Sequence, residues 1–444
     1  MDVVVIKNIT VSEIIDSSYK EFAMYTLEQR AIPSVIDGMK NVSRKLVYSM
    51  SKDHATGKVK VAELGGSLSS YNYHHGEASA MGAVVSLAAE YNNIAPVFDS
   101  HGSFGTRLVQ EAAAPRYIFV SLSKNFKKYF VDEEVAPVNA DVDNPEPAHY
   151  LPIIPWVLVN GISGIAVGFK TDILPRQPKD LVKAVAKCID DRESFLKANK
   201  IILPSFPQFK GAVEHVADNQ YLTRGIVEYV GKYTYKISEV PIGHDRASYI
   251  KILNDLYEAD KIKDYEDNCS KEGFGFSVKV SVAQKIEIDK DPIKFFKLEK
   301  THTEILTTLG VDGKLKIFTS VSELIDYFVT YRVKKFDDKL SYDIKKVTAQ
   351  KSEADYRRKF IKLVIDGTID FRKLTKAQLL DFVYNNVTEE DFGKKFVSIP
   401  LYECTVDSVN ELTSKIEDYE VELERLNNTT PTQSYKAALK YCST

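Results

Sequence analysis

The apolar positions change period twice along the chain, and the changes mark three regions. In the first, Ile14, Ile15, Tyr19, Phe22, Ala23 and Leu27 recur near helical spacing, which predicts an amphipathic helix over 12–30 that Pro33 interrupts. Further helices are predicted near 42–52 and 77–91. Short helices ahead of a loop suit a winged-helix or helix-turn-helix module. From about 135 the prolines cluster (Pro137, Pro145, Pro147, Pro152, Pro155), and the period then falls to that of strands. Val227, Tyr229, Tyr233, Tyr235 and Ile237 alternate about Gly231, and Phe274, Phe276, Val278, Val280 and Val282 alternate again. Asp312-Gly313 reads as a hairpin turn.

From about 321 the helical period returns. Val333, Phe336, Leu340, Ile344 and Val347 form one stripe, and Val409, Leu412, Ile416, Tyr419, Leu423 and Leu426 form an a/d seam. Gly367 and Pro400 bound shorter elements between these two long helices. The pattern predicts an antiparallel coiled-coil arm with a knob at its tip; an ordinary helical bundle satisfies the same periodicity. The end of the chain, beginning NNTTPTQS, reads as a loosely ordered tail. The expected fold class is therefore α+β and multidomain, with boundaries near 134, 320 and 428.

Composition narrows the function classes. A chain of 444 residues is long for one domain, and its 44% hydrophobic share suffices for real cores. No apolar run approaches the length of a membrane span, and the start MDVVVIKNIT lacks a signal peptide's basic and apolar regions. Cys188, Cys269, Cys404 and Cys442 lie far apart without a CxxC pair, which fits a reducing cytoplasm. The formal net charge of -3 argues against a general nucleic-acid coat. Any affinity for nucleic acid must come from clustered side chains or from a partner.

Four runs carry candidate chemistry. The first is HGSFGTRLVQEAAAPRYIFV at 101–120, in which Arg116 and Tyr117 follow small residues and precede Ile118, Phe119 and Val120. The chain has 25 tyrosines, most of them expected in structural roles. A phenol with a pKa of about 10 is a poor nucleophile at neutral pH. A neighbouring guanidinium can supply donors to a charged transition state, so the Arg-Tyr pair is the informative feature. The second run extends from Arg30 through Ile32-Pro33 and Asp37-Gly38 to Lys40, Arg44 and Lys45; read alone, it is a helix terminus with a solvated basic face. The third is Tyr73-His74-His75-Gly76-Glu77, where a histidine could act as a general base or orienting group. Metal binding there is disfavoured, since no third ligand recurs at a suitable spacing. The fourth, PWVLVNGISGIAVG at 155–168, has the wrong glycine spacing for a dinucleotide fingerprint and alone reads as a glycine-rich turn.

Together, in their order along the chain over residues 12–175, the four runs resemble the breakage-reunion subunits of type IIA DNA topoisomerases, the phage-encoded ones above all. The second run is similar to the family's RxIPxxxDGxKPxxRK signature, with Asn41 where proline is usual, and the third to its YHHGE motif. KLKIFTSVSELIDYF resembles the entry to the family's coiled-coil arm and SIPLYECTVDSVNELTSKIEDYEVELERL its return helix. The resemblance implies that Tyr117 forms a 5′-phosphotyrosyl link to DNA, assisted by Arg116, His75 and Arg30. Lys40, Arg44, Lys45 and His74 would hold the DNA backbone, and Ile165 would wedge between base pairs. It further implies a winged-helix DNA-gate domain over 1–134, a mixed α/β tower over 135–320, an arm with a small helical C-gate over 321–428, and a tail over 429–444. The chain would act as a homodimer, paired through the winged-helix and C-gate interfaces.

Absent motifs shape the expected partners. The chain has no GxxxxGK[ST] loop and no EGDSA-type acidic run, and Asp141-Val142-Asp143 and Asp289-Lys290-Asp291 stand outside such a context. The resemblance therefore places ATP and Mg²⁺ on a separate large subunit that carries the ATPase and TOPRIM domains. Relaxation and decatenation are expected rather than negative supercoiling, in the host cytoplasm if the chain is phage-encoded. Ala78 and Gly82 stand where bacterial enzymes have the quinolone-anchoring serine and acid, so weak quinolone sensitivity is expected. Composition alone also fits a non-enzymatic DNA-binding scaffold, but a scaffold has no need of the Arg30, His75, Arg116 and Tyr117 set. A nucleotide-driven motor is disfavoured by the missing phosphate loop.

Overall fold

The N-terminal helix leaves its apolar face in solvent. It runs over 11–31, opened by Thr10 in a reciprocal cap with Glu13, and its bonding widens to i→i+5 over Ile15–Tyr19 and Leu27–Ala31. Leu27 is buried, whereas Ile14, Ile15, Tyr19 and Phe22 are exposed. Spacing predicts the helix but not what covers its apolar side, because periodicity identifies a face and not its neighbour. The structure, a computed structural model, describes residues 10–370, 373–387 and 399–443. Contacts divide the chain into one unit of 1–331 with 438–444 and a second of 332–437.

In the first unit, the helices Asn41–Asp53, Val61–Ser67 and Glu77–Ala88 pack beside a small antiparallel sheet. Its strand order is Val59–Lys60, Phe119–Leu122, Phe98–His101, with Val120 paired to both Val59 and Ser100. The central strand starts two residues after Tyr117, so the candidate nucleophile sits at the entrance to the best-anchored strand.

Beyond these elements the chain is rich in antiparallel strands. A four-stranded sheet has the order Asp264–Asp267, Phe276–Lys279, Thr234–Glu239, Ile226–Gly231. Its inward residues Tyr235, Ile237, Phe276 and Val278 meet Tyr249, Leu253, Phe296 and Leu298 in one core, as the alternation predicts. Val282 departs from the expected strand. It opens the helix Val282–Ile288, which Ser281 and Gln284 cap reciprocally; this Ser-x-x-Gln signal outweighs one more step of alternation. The Asp312-Gly313 turn joins Thr307–Leu309 to Leu315–Ile317, with Gly313 at φ +72. Among the described residues no helix is long and apolar enough to cross a membrane.

In the second unit, two long helices run antiparallel. Val321–Ile365 enters it at residue 332, and Val406–Asn427 returns. Lys351 pairs with Glu420 at 2.8 Å and Arg357 with Glu403 at 2.5 Å, so one number rises as the other falls. Phe336, Leu340, Ile416 and Leu426 of the predicted stripes are buried. Past the helix break at Gly367 (φ +75), Lys376–Asn386 folds back, and Leu379 and Val383 pack with Phe360 and Ile361. The rest of the predicted knob, at 371–372 and 388–398, lies outside the described residues.

The expected loose tail is instead a helix, Pro431–Ser443, with Tyr435, Leu439 and Cys442 buried. Its start is encoded locally. Thr430 and Gln433 cap each other, and proline occupies the first helical position. These signals outweigh the polar, loop-like composition of the segment just before it.

Candidate active site

Tyr117 is held by its backbone and free at its ring. Its N–H donates to the Ala114 carbonyl at 2.9 Å, Ala113 donates to Ser103 of the GSFG loop, and Ala62 donates to Pro115. Gly102, at φ +118, lets that loop pass Ile118: a Cβ there would lie 2.8 Å from the isoleucine's Cγ2. The Tyr117 side chain is 68% exposed, and its hydroxyl forms no hydrogen bond with any described residue. The Arg116 guanidinium carbon stands 5.1 Å from the ring centroid. An anchored backbone, an uncommitted hydroxyl and an adjacent cation suit attack on a charged ester.

A second group gathers Arg30, His75 and Tyr25. Arg30 Nη2 lies 2.7 Å from His75 Nδ1, and Tyr25 Oη lies 2.8 Å from His75 Nε2. The Tyr73 ring meets the imidazole edge-on at 5.0 Å. Desolvation, then the Arg30 charge and His74, hold His75 below its usual pKa. His74 turns away and pairs with Asn72 at 2.5 Å; Asn72 itself takes the left-handed conformation that ends the preceding turn. Among the described residues no hydrogen bond joins this group to Arg116 or Tyr117. The structure thus assembles two pairs from the predicted set, Arg30 with His75 and Arg116 with Tyr117. Tyr25 is an addition that no sequence signal marked.

The basic run after Pro33 divides into cavity-facing and internal cations. Asp37 is fully buried and accepts from Arg44 Nε (2.9 Å), the Met39 N–H and the Tyr150 N–H. Burial disfavours charge on Arg44, but Asp37 outweighs it and raises the arginine's pKa. Lys45 is 1% exposed; its ammonium touches Tyr71 O at 2.7 Å, Asn144 Oδ1 at 2.6 Å and Glu146 Oε1 at 2.8 Å. The expectation that Arg44 and Lys45 hold a DNA backbone is therefore corrected. Each is sequestered by a carboxylate, Asp37 or Glu146, and neither offers a free cation to a phosphate. Asn41, in the place of the usual proline, is the first residue of its helix, and its amide donates to Gln29 Oε1.

Lys40 serves the fourth run. Its Nζ donates to the Ser163 carbonyl at 2.9 Å, and burial lowers its pKa. Ser163 lies in the hairpin Ile162–Ile165 with Lys170–Ile173. Gly164 touches the helix that carries Arg30: a Cβ there would lie 2.1 Å from the Ala31 carbonyl oxygen. The hairpin is pinned at its base, and Ile165 projects from it, 81% exposed.

Arg30, Lys40 and Ser163 share a concave cavity of about 720 Å³ with Trp156, His244, Lys300 and His302. The last three are candidates that sequence reasoning missed, because they come from distant segments that only folding brings to one wall. His302 bonds Thr223 Oγ1 at 3.0 Å, and burial followed by Lys300 lowers its pKa.

The two acidic strings have internal employment. Asp141 accepts from the Asp143 N–H and Asn144, Asp289 is paired with Lys285, and Asp291 caps the short helix Pro292–Phe295.

Comparison with known proteins adds the family. Residues 30–441 match the family model for the A-type subunits of DNA gyrase and topoisomerase IV. The chain belongs to this family. It is 34% identical over 446 residues to the DNA topoisomerase medium subunit of Enterobacteria phage T4, covering 98% of this chain and 99% of that one. It is 27% identical to the mitochondrial DNA topoisomerase 2 of Dictyostelium discoideum, covering 98% of this chain and 35% of that protein. The chain thus spans about a third of such single-chain relatives. A solved DNA-binding, cleavage and re-ligation domain of Plasmodium falciparum topoisomerase II superposes with a TM-score of 0.86 at 25% identity, over 97% of this chain and 63% of that one. Membership makes the chain part of an enzyme of the type II DNA topoisomerase class, whose complexes use Mg²⁺ and ATP. Among the described residues no three His, Cys, Asp or Glu side chains gather as metal ligands.

Proposed function

We propose that the chain is the DNA-cleaving and rejoining subunit of a type IIA topoisomerase, with Tyr117 as its nucleophile. The Tyr117 oxygen attacks a phosphodiester, its bond to phosphorus forms as the bond to the 3′ oxygen breaks, and the phenolic proton leaves so that a 3′ hydroxyl is released. The product is a 5′-phosphotyrosyl ester, close in energy to the bond lost, so the strand reseals without ATP. Arg116 donates to the phosphate oxygens as charge develops, and Arg30 and His75 complete the polar surface. Ile165 wedges a base step and bends the duplex. The observation that carries this reading is the solvent-facing Tyr117 hydroxyl beside the Arg116 guanidinium, on an anchored turn.

In this reading residues 1–134 form a winged-helix DNA gate, 135–320 the tower, and 321–428 the arm and C-gate of a homodimer. A large subunit brings the ATPase, the TOPRIM domain and the Mg²⁺. The complex relaxes and decatenates DNA rather than supercoiling it. The test mixes the chain with its large subunit, duplex DNA and Mg²⁺, then denatures with detergent. A protein-linked break is expected, and Tyr117→Phe abolishes it. An adduct that persists in that variant refutes the assignment, and negative supercoils made by the wild-type complex refute the reaction type.

A further inference from the structure

His75 has both ring nitrogens engaged, and the shorter of its two Arg30 contacts points to where its proton sits. A guanidinium only donates, so the 2.7 Å contact from Arg30 Nη2 makes Nδ1 an acceptor. In the neutral ring the proton then resides on Nε2. Arg30 Nε also approaches Nε2, but at 3.4 Å, the edge of hydrogen-bond range. The 2.8 Å partner of Nε2 is Tyr25 Oη, which must accept. The hydroxyl proton of Tyr25 is then left to donate, and no described residue receives it. Tyr25 is 42% exposed, so that proton faces solvent.

The helix geometry serves this arrangement. In an α-helix, residues five apart sit about 140° apart around the axis. The widened i→i+5 bonding over Leu27–Ala31 narrows the angle, so Tyr25 and Arg30 both reach one imidazole.

We infer that Tyr25 is a further DNA-contacting residue of the cleavage site. Arg30 donates to His75, His75 donates to Tyr25, and Tyr25 donates to a non-bridging oxygen of the scissile phosphate, most strongly as negative charge develops there in the transition state. His75 transmits polarisation and takes no proton itself, and each donor strengthens the next. This rests on the strand-cleaving function proposed above.

The test uses Tyr25→Phe, which keeps the ring and removes the hydroxyl, within the full two-subunit complex. The rate of adduct formation is followed in single turnover on a nicked suicide duplex, and DNA affinity by fluorescence anisotropy at fixed salt. Loss of one hydrogen bond to a charged group should slow adduct formation about tenfold, with affinity changed less than about twofold. In a His75→Ala background, Tyr25→Phe should add less than about twofold, since the relay is already broken. Wild-type speed in Tyr25→Phe, equal losses of speed and affinity, or effects that multiply with His75→Ala would each overturn the relay. Tyr117→Phe is run alongside. If it abolishes the adduct while Tyr25→Phe does nothing, only the relay fails; if the adduct survives, the nucleophile assignment fails.

Discussion

Lys45→Met separates a structural cation from a DNA-binding one. Lys45 is 1% exposed and Glu146 is wholly buried, and their 2.8 Å contact meets ion-pair but not hydrogen-bond geometry on the carboxylate. Methionine preserves the stem and removes the charge. Glu146 must then remain buried without its contacting cation. Breaking a buried pair costs about 3–5 kcal/mol in general, so a loss of that order is expected. For a unit of this size the melting temperature should fall on the order of 5 °C. Adding Glu146→Gln should restore much of the loss. A phosphate-contacting lysine behaves differently: its removal leaves the melt unchanged and lowers the slope of log affinity against log salt by about 0.9. Calorimetry and a salt titration of DNA binding distinguish the two. An unchanged melt with a shallower salt slope refutes the structural reading of Lys45.

Further expectations follow from the same geometry. Ile165→Ala should keep DNA affinity within a few-fold but reduce the bend seen by fluorescence transfer between duplex ends; an unchanged bend removes the wedge. Gly164→Ala, whose Cβ meets the Ala31 carbonyl oxygen at 2.1 Å, should cost about 1–3 kcal/mol by overpacking and lower both bending and adduct formation; full activity would show the hairpin is not pinned there. Desolvation and then Arg30 hold His75 below the ordinary histidine value of 6.5, so the ring takes up its proton at lower pH than a free imidazole. Arg30→Gln raises the His75 pKa and should move the acid limb of residual adduct formation to higher pH, and a limb that stays put or moves down contradicts this. Quinolones should stimulate cleavage weakly, because Ala78 and Gly82, exposed on the helix Glu77–Ala88, offer no oxygen to a metal–water bridge. Strong stimulation at concentrations that act on gyrase counts against it.

Much of the chain is legible before folding is considered. The helices over 41–53 and 77–88, the strands about Gly231 and the Asp312-Gly313 turn all follow from periodicity, caps and turn chemistry. Each of these signals is local: a helix or hairpin closes its hydrogen bonds within a few residues, so its code is written within a few residues. The pairing of Arg116 with Tyr117 is readable for the same reason. The tail helix is equally local, but its Thr430–Gln433 cap sits inside a polar run whose composition reads as a loop.

Tertiary structure alone decides which charges are free. Lys40, Arg44 and Lys45 form one basic run in the sequence, yet Glu146, a hundred residues away, claims Lys45, Asp37 claims Arg44 and the Ser163 carbonyl claims Lys40. His75 likewise meets Tyr25 across fifty residues, and the apolar face of the first helix remains uncovered. The physical reason is desolvation. Whether a cation is available or sequestered depends on what excludes water from it, and that is a property of the assembled fold rather than of neighbouring letters.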